Sequence, residues 1–447
     1  MTYLLYGGKI WDNNGSVIQN GAVVIKGDEI VTVDRADKLE QEDYDRTIDC
    51  SDKLIIPGLV NAHTHVYSTL SRGLVLPDDP PENFLEILTG LWWKLDRNLT
   101  KETIQVSALV AGLEFLKNGV TTVFDHHSSP GATPGSLEII RDGLVDELGV
   151  RSSLCYEVSD RNGKDETDLG IRENLDWLSH VSNSENHMVG GQFGLHASFT
   201  LSTNTLEEIA SYVEDLDTGV HIHLAEGLED QQNSLSEYGT RVVNRLDSFG
   251  LLRPDSMLVH GIHLAEREKN ILAKRAPFMV YNPRSNMNNA VGVADLPGMF
   301  RRGIDVGLGN DGMGFDMITE FQAGYFLQKI FQGRPDSIGL PLFGNTLFQN
   351  NYELAEETFG VKLGKIVPGY KADIAILDYQ APTPLTQDNV LGHLVYGFSG
   401  NNHPVASVFV AGKPVVEDYE VVGVNENEVY KRAQNLARSL WERVESS

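Results

Sequence analysis

Cysteine is nearly absent from this chain: there are two in 447 residues, Cys50 and Cys155. That excludes a disulfide scaffold and a thiolate zinc site, and it suits a reducing compartment. Positive charge is also scarce, with 36 Lys and Arg against 63 Asp and Glu and a formal net charge of −27. Phosphate backbones and anionic lipid both call for a Lys/Arg surplus, so neither nucleic acid nor a membrane surface is an expected partner. No apolar run approaches the roughly 20 residues needed to span a bilayer. The opening MTYLLYGGKIWDNNG lacks the basic stretch, apolar core and small-residue cleavage site of a signal peptide, so the expected location is cytoplasmic. Several signatures are missing as well: the Walker phosphate loop, the H-E-x-x-H zinc helix and the H-x-E…P-C-x-x-C zinc signature. Gly307, Gly309 and Gly312 do spell G-x-G-x-x-G, but they close a series of strands instead of opening a βαβ unit. The match is read as coincidence.

What is present divides by its grammar. TYLLYGGKIWD, AVVIKGDEIVTVD and RTIDCSDKLIIPG are alternating or short apolar runs broken by turn dipeptides, and they read as strands. From about Leu59, eight short apolar runs alternate with longer stretches of helical period: LVNAHTH, VTTVFDHH, VRSSLCYEV, VGGQFGLHA, GVHIHLAE, SMLVHG, PFMVYN and GIDVGLGND. Eight strands with intervening helices is the count of a (β/α)8 barrel. Strands return in KADIAILDY and ASVFVAGKPVVED, and ENEVYKRAQNLARSLWERV has helical periodicity. The expected fold is therefore α/β: a (β/α)8 TIM-type barrel over residues 58–360, with a small β-sandwich domain built from both chain ends. Residues 1–57 supply its N-terminal part, and residues 361–447 its C-terminal part and a terminal helix.

The histidines carry the chemical signal. Of the 13, nine lie at or just past the expected barrel strand ends: His63, His65, His126, His127, His196, His221, His223, His260 and His263. Barrel enzymes build their sites on that face. Residues i and i+2 of a strand point the same way, so His63 and His65 can reach one ion. His221 and His223 repeat the pattern, and His223, nearer the strand end, is the candidate ligand. Glu226 follows within reach of the same site. His260 ends the sixth strand, with His263 as its rival. Asp311 ends the eighth, where a carboxylate can bind metal and take a proton from water. Trp92 and Trp93 suit an aromatic wall for a flat heterocycle, and Arg72 an anionic substrate group. One of His126 and His127 is expected to face substrate, with His127 taken as the candidate.

PGLVNAHTH, HIHLAE, LVHGIHL, YNPRSN and LGNDG, in this order, resemble the motifs of the amidohydrolase superfamily. The resemblance is to the branch holding cytosine and guanine deaminases, adenosylhomocysteine deaminases and triazine chlorohydrolases. SRGL, LWWKLDR and DHHSSP resemble the SsnA-like aminohydrolases within it. The likeness spans essentially the whole chain. It implies one divalent metal, zinc or iron, held by His63, His65, His223 and Asp311. It also implies Glu226 as proton shuttle, His260 as the group polarising water or a substrate oxygen, and His196 as a substrate contact. The fourth strand has no lysine of the kind that bridges two metals in binuclear members. The implied reaction is hydrolysis of a C–N bond, foremost deamination of a purine-like or related N-heterocycle. Ring opening of a cyclic amide or amidine is the alternative, and a non-catalytic binding barrel a remote one. By analogy with relatives, the protein is expected to be a homo-oligomer, a dimer.

Overall fold

The computed structural model describes residues 1–39, 43–75, 80–398 and 404–447. The first strands are β1 (Thr2–Trp11), β2 (Val17–Lys26), β3 (Glu29–Arg35), β4 (Arg46–Asp49) and β5 (Leu54–Pro57). Nine more follow: β6 (Leu59–Thr64), β7 (Val120–His127), β8 (Arg151–Tyr156), β9 (Val189–Gly191), β10 (Phe193–Ala197), β11 (Val220–Leu224), β12 (Met257–His260), β13 (Phe278–Tyr281) and β14 (Val306–Leu308). The last are β15 (Ile374–Leu377), β16 (Val405–Val410), β17 (Lys413–Glu417) and β18 (Glu420–Val421).

The two ends of the chain share one nine-stranded sheet, in the order β18-β17-β16-β15-β5-β1-β2-β3 with β4 on β1. The link is β5 against β15, antiparallel from Pro57 opposite Ile374 to Leu54 opposite Leu377. Their joint core holds Leu5, Val23 and Ile55 from one end with Ile374, Ile376 and Phe409 from the other. Between β16 and β17 the turn residues Ala411 and Gly412 both have positive φ, 46° and 71°. Only glycine fits the second position, because a Cβ there would lie 2.0 Å from the Gly27 carbonyl oxygen.

The eight expected barrel strands are all present, and almost every residue in them is buried, as in a parallel sheet covered on both faces. They form two parallel sheets, β6-β7-β8-β9 and β10-β11-β12-β13-β14. The run VGGQFGLHA, expected as one strand, is split at Gln192: β9 pairs with β8, while β10 pairs with β11. The chain therefore changes partner at the seam between the sheets.

Each seam is held by a buried asparagine from a neighbouring helix. Asn174, on helix Lys164–Ser182, accepts from the backbone N–H of Tyr156 (2.9 Å) and Gly194 (3.2 Å) through Oδ1, and donates through Nδ2 to the Tyr156 carbonyl (2.8 Å). At the other seam Asn351 donates to the carbonyls of Val60 and Leu308, each at 2.8 Å, and accepts from Leu308 N–H at 2.9 Å. Backbone bonds add to both, from Val158 N to Gly194 O (3.2 Å) and from Asn310 N to His63 O (3.0 Å).

The three glycines of the G-x-G-x-x-G run serve packing at this second seam. A Cβ at Gly307 would meet Asn351 Oδ1 at 2.4 Å, one at Gly309 the His63 backbone nitrogen at 2.9 Å, and one at Gly312 Ser68 Oγ at 2.4 Å. The terminal helix Glu426–Glu445 lies on the barrel, where Trp441 Nε1 donates to the Leu70 carbonyl at 2.7 Å just after β6. Among the described residues, no helix is long and apolar enough to cross a membrane.

Candidate active site

At the C-terminal ends of the barrel strands, imidazoles converge. Ligand atoms of His63, His65, His126 and His223 lie within 4.8 Å of one another, as do those of His223, His260 and Asp311. Asp311 Oδ1 stands 3.0 Å from His63 Nε2 and 3.0 Å from His65 Nε2. His65 Nδ1 donates to the His126 carbonyl (2.6 Å) and His223 Nδ1 to the His196 carbonyl (2.9 Å). A carbonyl can only accept, so both hydrogens sit on Nδ1 and both Nε2 atoms offer lone pairs. Those lone pairs face each other at 3.2 Å. Two such nitrogens repel unless positive charge lies between them. The surroundings favour such charge: burial opposes it at His65, yet Asp311 and Glu157 raise its pKa to about 10, so a cation held there would take the place of that ring's second proton. Nitrogen-rich ligation with one carboxylate fits a divalent ion such as zinc or iron.

The two carboxylates of the site are driven apart. Burial and the neighbouring Asp311 charge push the Glu226 carboxyl well above its ordinary range. Asp311 is buried too, but His260, His63 and His65 outweigh that and hold it well below. The two carboxyls are pushed in opposite directions, the arrangement of an acid beside a base. Three non-glycine residues here have left-handed backbone: Ala225 (φ 49°), His260 (φ 75°) and Asp311 (φ 54°). Such conformations cost on the order of 1–3 kcal/mol each and collect at functional sites. Two of them are held by hydrogen bonds, from Ala225 N to Asp230 Oδ2 (2.9 Å) and from Asp311 N to the His63 carbonyl (3.1 Å).

A recess of about 820 Å³, counted out to solvent, opens over the cluster and is lined by His65, His196, His223, Glu226 and Asp311. Trp92 lines it as expected, and so does Trp93, together with Phe84, Leu88 and Phe199. His196 is held by Thr200, with Nδ1 2.9 Å from Oγ1. His260, not His263, belongs to the group. Two expectations are corrected. Arg72 points to solvent and forks onto Glu114 at 2.9 and 3.0 Å, because the turn after β6 carries it outside the mouth. His127 is fully buried and bonded to Ser129 Oγ at 2.9 Å, since adjacent strand residues face opposite ways. His126 is the one that faces the cluster.

Sequence reasoning missed Glu157, Asp96 and Arg161, which also line the recess. Glu157 follows β8 directly, and a lone acid at the end of an apolar strand was a usable signal. The pairing of Asp96 with Arg161, with the guanidinium 5.2 Å from the Trp93 ring centre, joins segments 65 residues apart and had none.

Fold and site together define a hydrolase of carbon–nitrogen bonds, and the chain belongs to the amidohydrolase family, whose model matches residues 54–415. Among its relatives is the 5-methylthioadenosine/S-adenosylhomocysteine deaminase of Halothermothrix orenii, 31% identical over 435 residues and 96% of each chain. The 5'-deoxyadenosine deaminase of Methanobrevibacter smithii is 28% identical over 428 residues and 94% of each. Similar solved structures include an adenosine deaminase from Xanthomonas campestris with bound zinc (TM-score 0.83, 23% identity, 100% of this chain and 99% of that one). Another is an atrazine chlorohydrolase from Arthrobacter aurescens complexed with zinc (TM-score 0.81, 20% identity, 97% and 100%).

Proposed function

We propose that this protein hydrolytically deaminates a purine-like N-heterocycle at a single divalent metal, zinc or iron, held by His63, His65, His223 and Asp311. The observation that carries the reading is the meeting of histidine Nε2 atoms on Asp311 Oδ1, with the Glu226 carboxyl 3.3 Å from His260 Nε2 at the same mouth. A divalent cation held there is a Lewis acid that lowers the pKa of water from 15.7 to about 7. Asp311 takes a proton from the attacking water. The water oxygen adds to the ring carbon that bears the exocyclic nitrogen. Glu226 gives its proton to the adjoining ring nitrogen and regains one from the added hydroxyl, Asp311 passes its proton to the exocyclic nitrogen, and the C–N bond then breaks to release ammonia. His260 keeps a hydrogen on Nε2, aimed between the carboxylates, because Asn286 Nδ2 donates to its Nδ1 at 2.8 Å. Trp92, Trp93 and Phe199 offer flat faces for a ring. The deaminase relatives support this substrate class.

The same reading divides the chain into a catalytic unit, residues 58–360, and a small β domain from residues 1–57 and 361–447 with the terminal helix. A cytoplasmic location and a lack of nucleic-acid partners rest on composition. A homodimer is supported by the exposed apolar side chains Phe326, Ile330, Phe331 and Tyr396, and light scattering tests it.

The deciding experiment pairs metal analysis with an ammonia-release screen over adenine and guanine bases, 5-methylthioadenosine, S-adenosylhomocysteine, 5'-deoxyadenosine, pterins and triazines. One metal per chain with ammonia from one of them is the expected result. Consumption of a cyclic amide without ammonia overturns deamination in favour of ring opening.

A further inference from the structure

Three candidate ligands need a hydrogen on Nδ1 to present a bare Nε2. His65 and His223 have one directly, donated to the carbonyls of His126 and His196. His63 has no such carbonyl. Its Nδ1 instead meets His221 Nε2 at 2.8 Å, deep in the barrel where both rings are buried. On the far side of that ring, His221 Nδ1 lies 3.6 Å from Cys155 Sγ, and the thiol donates to the Asp125 carbonyl at 3.6 Å. Both sulfur distances are ordinary for hydrogen bonds of this larger atom.

The polarity of this chain is set at its end. The Asp125 carbonyl only accepts, so it takes the S–H. The sulfur then accepts from His221 Nδ1–H, His221 Nε2 accepts from His63 Nδ1–H, and His63 Nε2 is left bare. Running the other way, the chain would put a hydrogen on His63 Nε2, facing Asp311 Oδ1. The His126 ring lies flat on His221, 4.4 Å between centroids and 5° between planes, and fixes its orientation.

We propose that His221 and Cys155 are positioning residues for His63, relaying the fixed polarity of the Asp125 carbonyl so that His63 offers Nε2 to the metal. This assigns work to the non-ligand half of the second His-x-His and to one of the two cysteines. It rests on the reading above that His63 binds metal.

The test measures Zn²⁺ affinity by competition with a chromophoric chelator, and the visible spectrum of the Co²⁺-loaded protein, in four variants. His221→Leu removes the acceptor and weakens affinity by about 10–100-fold, with a changed Co²⁺ spectrum. His221→Gln places an amide oxygen near the lost Nε2 and restores both to within about threefold of the parent. Cys155→Ser donates and accepts as the thiol does and stays close to the parent, whereas Cys155→Ala is weaker. Parental affinity in His221→Leu overturns the proposal, as does His221→Gln being no better than His221→Leu. Should His221→Leu lack a cooperative melting transition, the cysteine pair decides, and equal affinities in Cys155→Ser and Cys155→Ala overturn it. A parent protein that binds no Zn²⁺ would instead refute the metal reading itself.

Discussion

His260 Nε2 stands 3.3 Å from Glu226 Oε2, with Asp311 Oδ2 3.8 Å away on its other side. Burial lowers the His260 pKa to about 4, so the ring is neutral at working pH and its single N–H faces the carboxylates. Glu226→Gln keeps the shape and loses the transferable proton. It is expected to lower kcat by about 10²–10⁴-fold with metal content unchanged. The raised Glu226 carboxyl loses its proton as pH climbs, so parental activity falls on the alkaline side. Steady-state kinetics across pH, with metal analysis of the same samples, check both statements.

Asp230, which also lines the recess, is a second pH probe. It is buried, accepts from Ala225 N–H at 2.9 Å, and burial pushes its carboxyl up to about 7. A folded-state value above the unfolded one means that protonated Asp230 favours folding. That contribution is complete below about pH 4 and disappears as pH rises through about 7, by up to about 4 kcal/mol. Asp230→Asn keeps the acceptor and cannot titrate. Urea midpoints from pH 4 to 8 should therefore fall less steeply in the variant, and parallel curves would rule this out.

At the seams, Asn174→Ala and Asn351→Ala each strip several buried backbone groups of partners at once. Unmet groups cost roughly 1–3 kcal/mol each, so each variant is expected to lose about 2–4 kcal/mol of unfolding free energy. Equilibrium denaturation measures it, and a loss below about 1 kcal/mol would show the seams are held elsewhere.

Arg72 and Arg161 make a contrasting pair. The exposed Arg72–Glu114 bridge is worth about 0–1 kcal/mol, so Arg72→Ala should leave kcat/KM within about twofold of the parent. Arg161→Ala leaves the buried Asp96 as an unpaired charge on the pocket wall, with a loss of about 3–5 kcal/mol in stability. A fall in kcat/KM of at least about tenfold is expected with it, measured on the best substrate of the ammonia screen.

Much of this was legible because strand chemistry is local. Short apolar runs alternating with stretches of helical period marked all eight barrel strands, and His63, His65, His223, Glu226, His260 and Asp311 stood out as candidates because they lie at or just past strand ends. What the sequence hid is pairwise in space. His126 and His127 are neighbours on one strand, and only the pleat decides which faces inward. Arg72 was drawn outward by Glu114, 42 residues on, while Arg161 was drawn in by Asp96. The break at Gln192 was invisible because both halves of VGGQFGLHA are strand; the partner changes there, not the conformation.

The division of the barrel into two sheets also divides the chemistry. His63, His65, His126 and Glu157 ride on the β6–β9 half, and His196, His223, Glu226, His260 and Asp311 on the β10–β14 half. Neither half alone holds a working set, and the contacts that matter most run between them. A slip of one half against the other by a few tenths of an ångström would pass straight into the gap between Asp311 and the first two histidines. The two asparagines therefore act as dowels that keep the reacting groups in register, and loosening either one should blunt catalysis before it unfolds the chain.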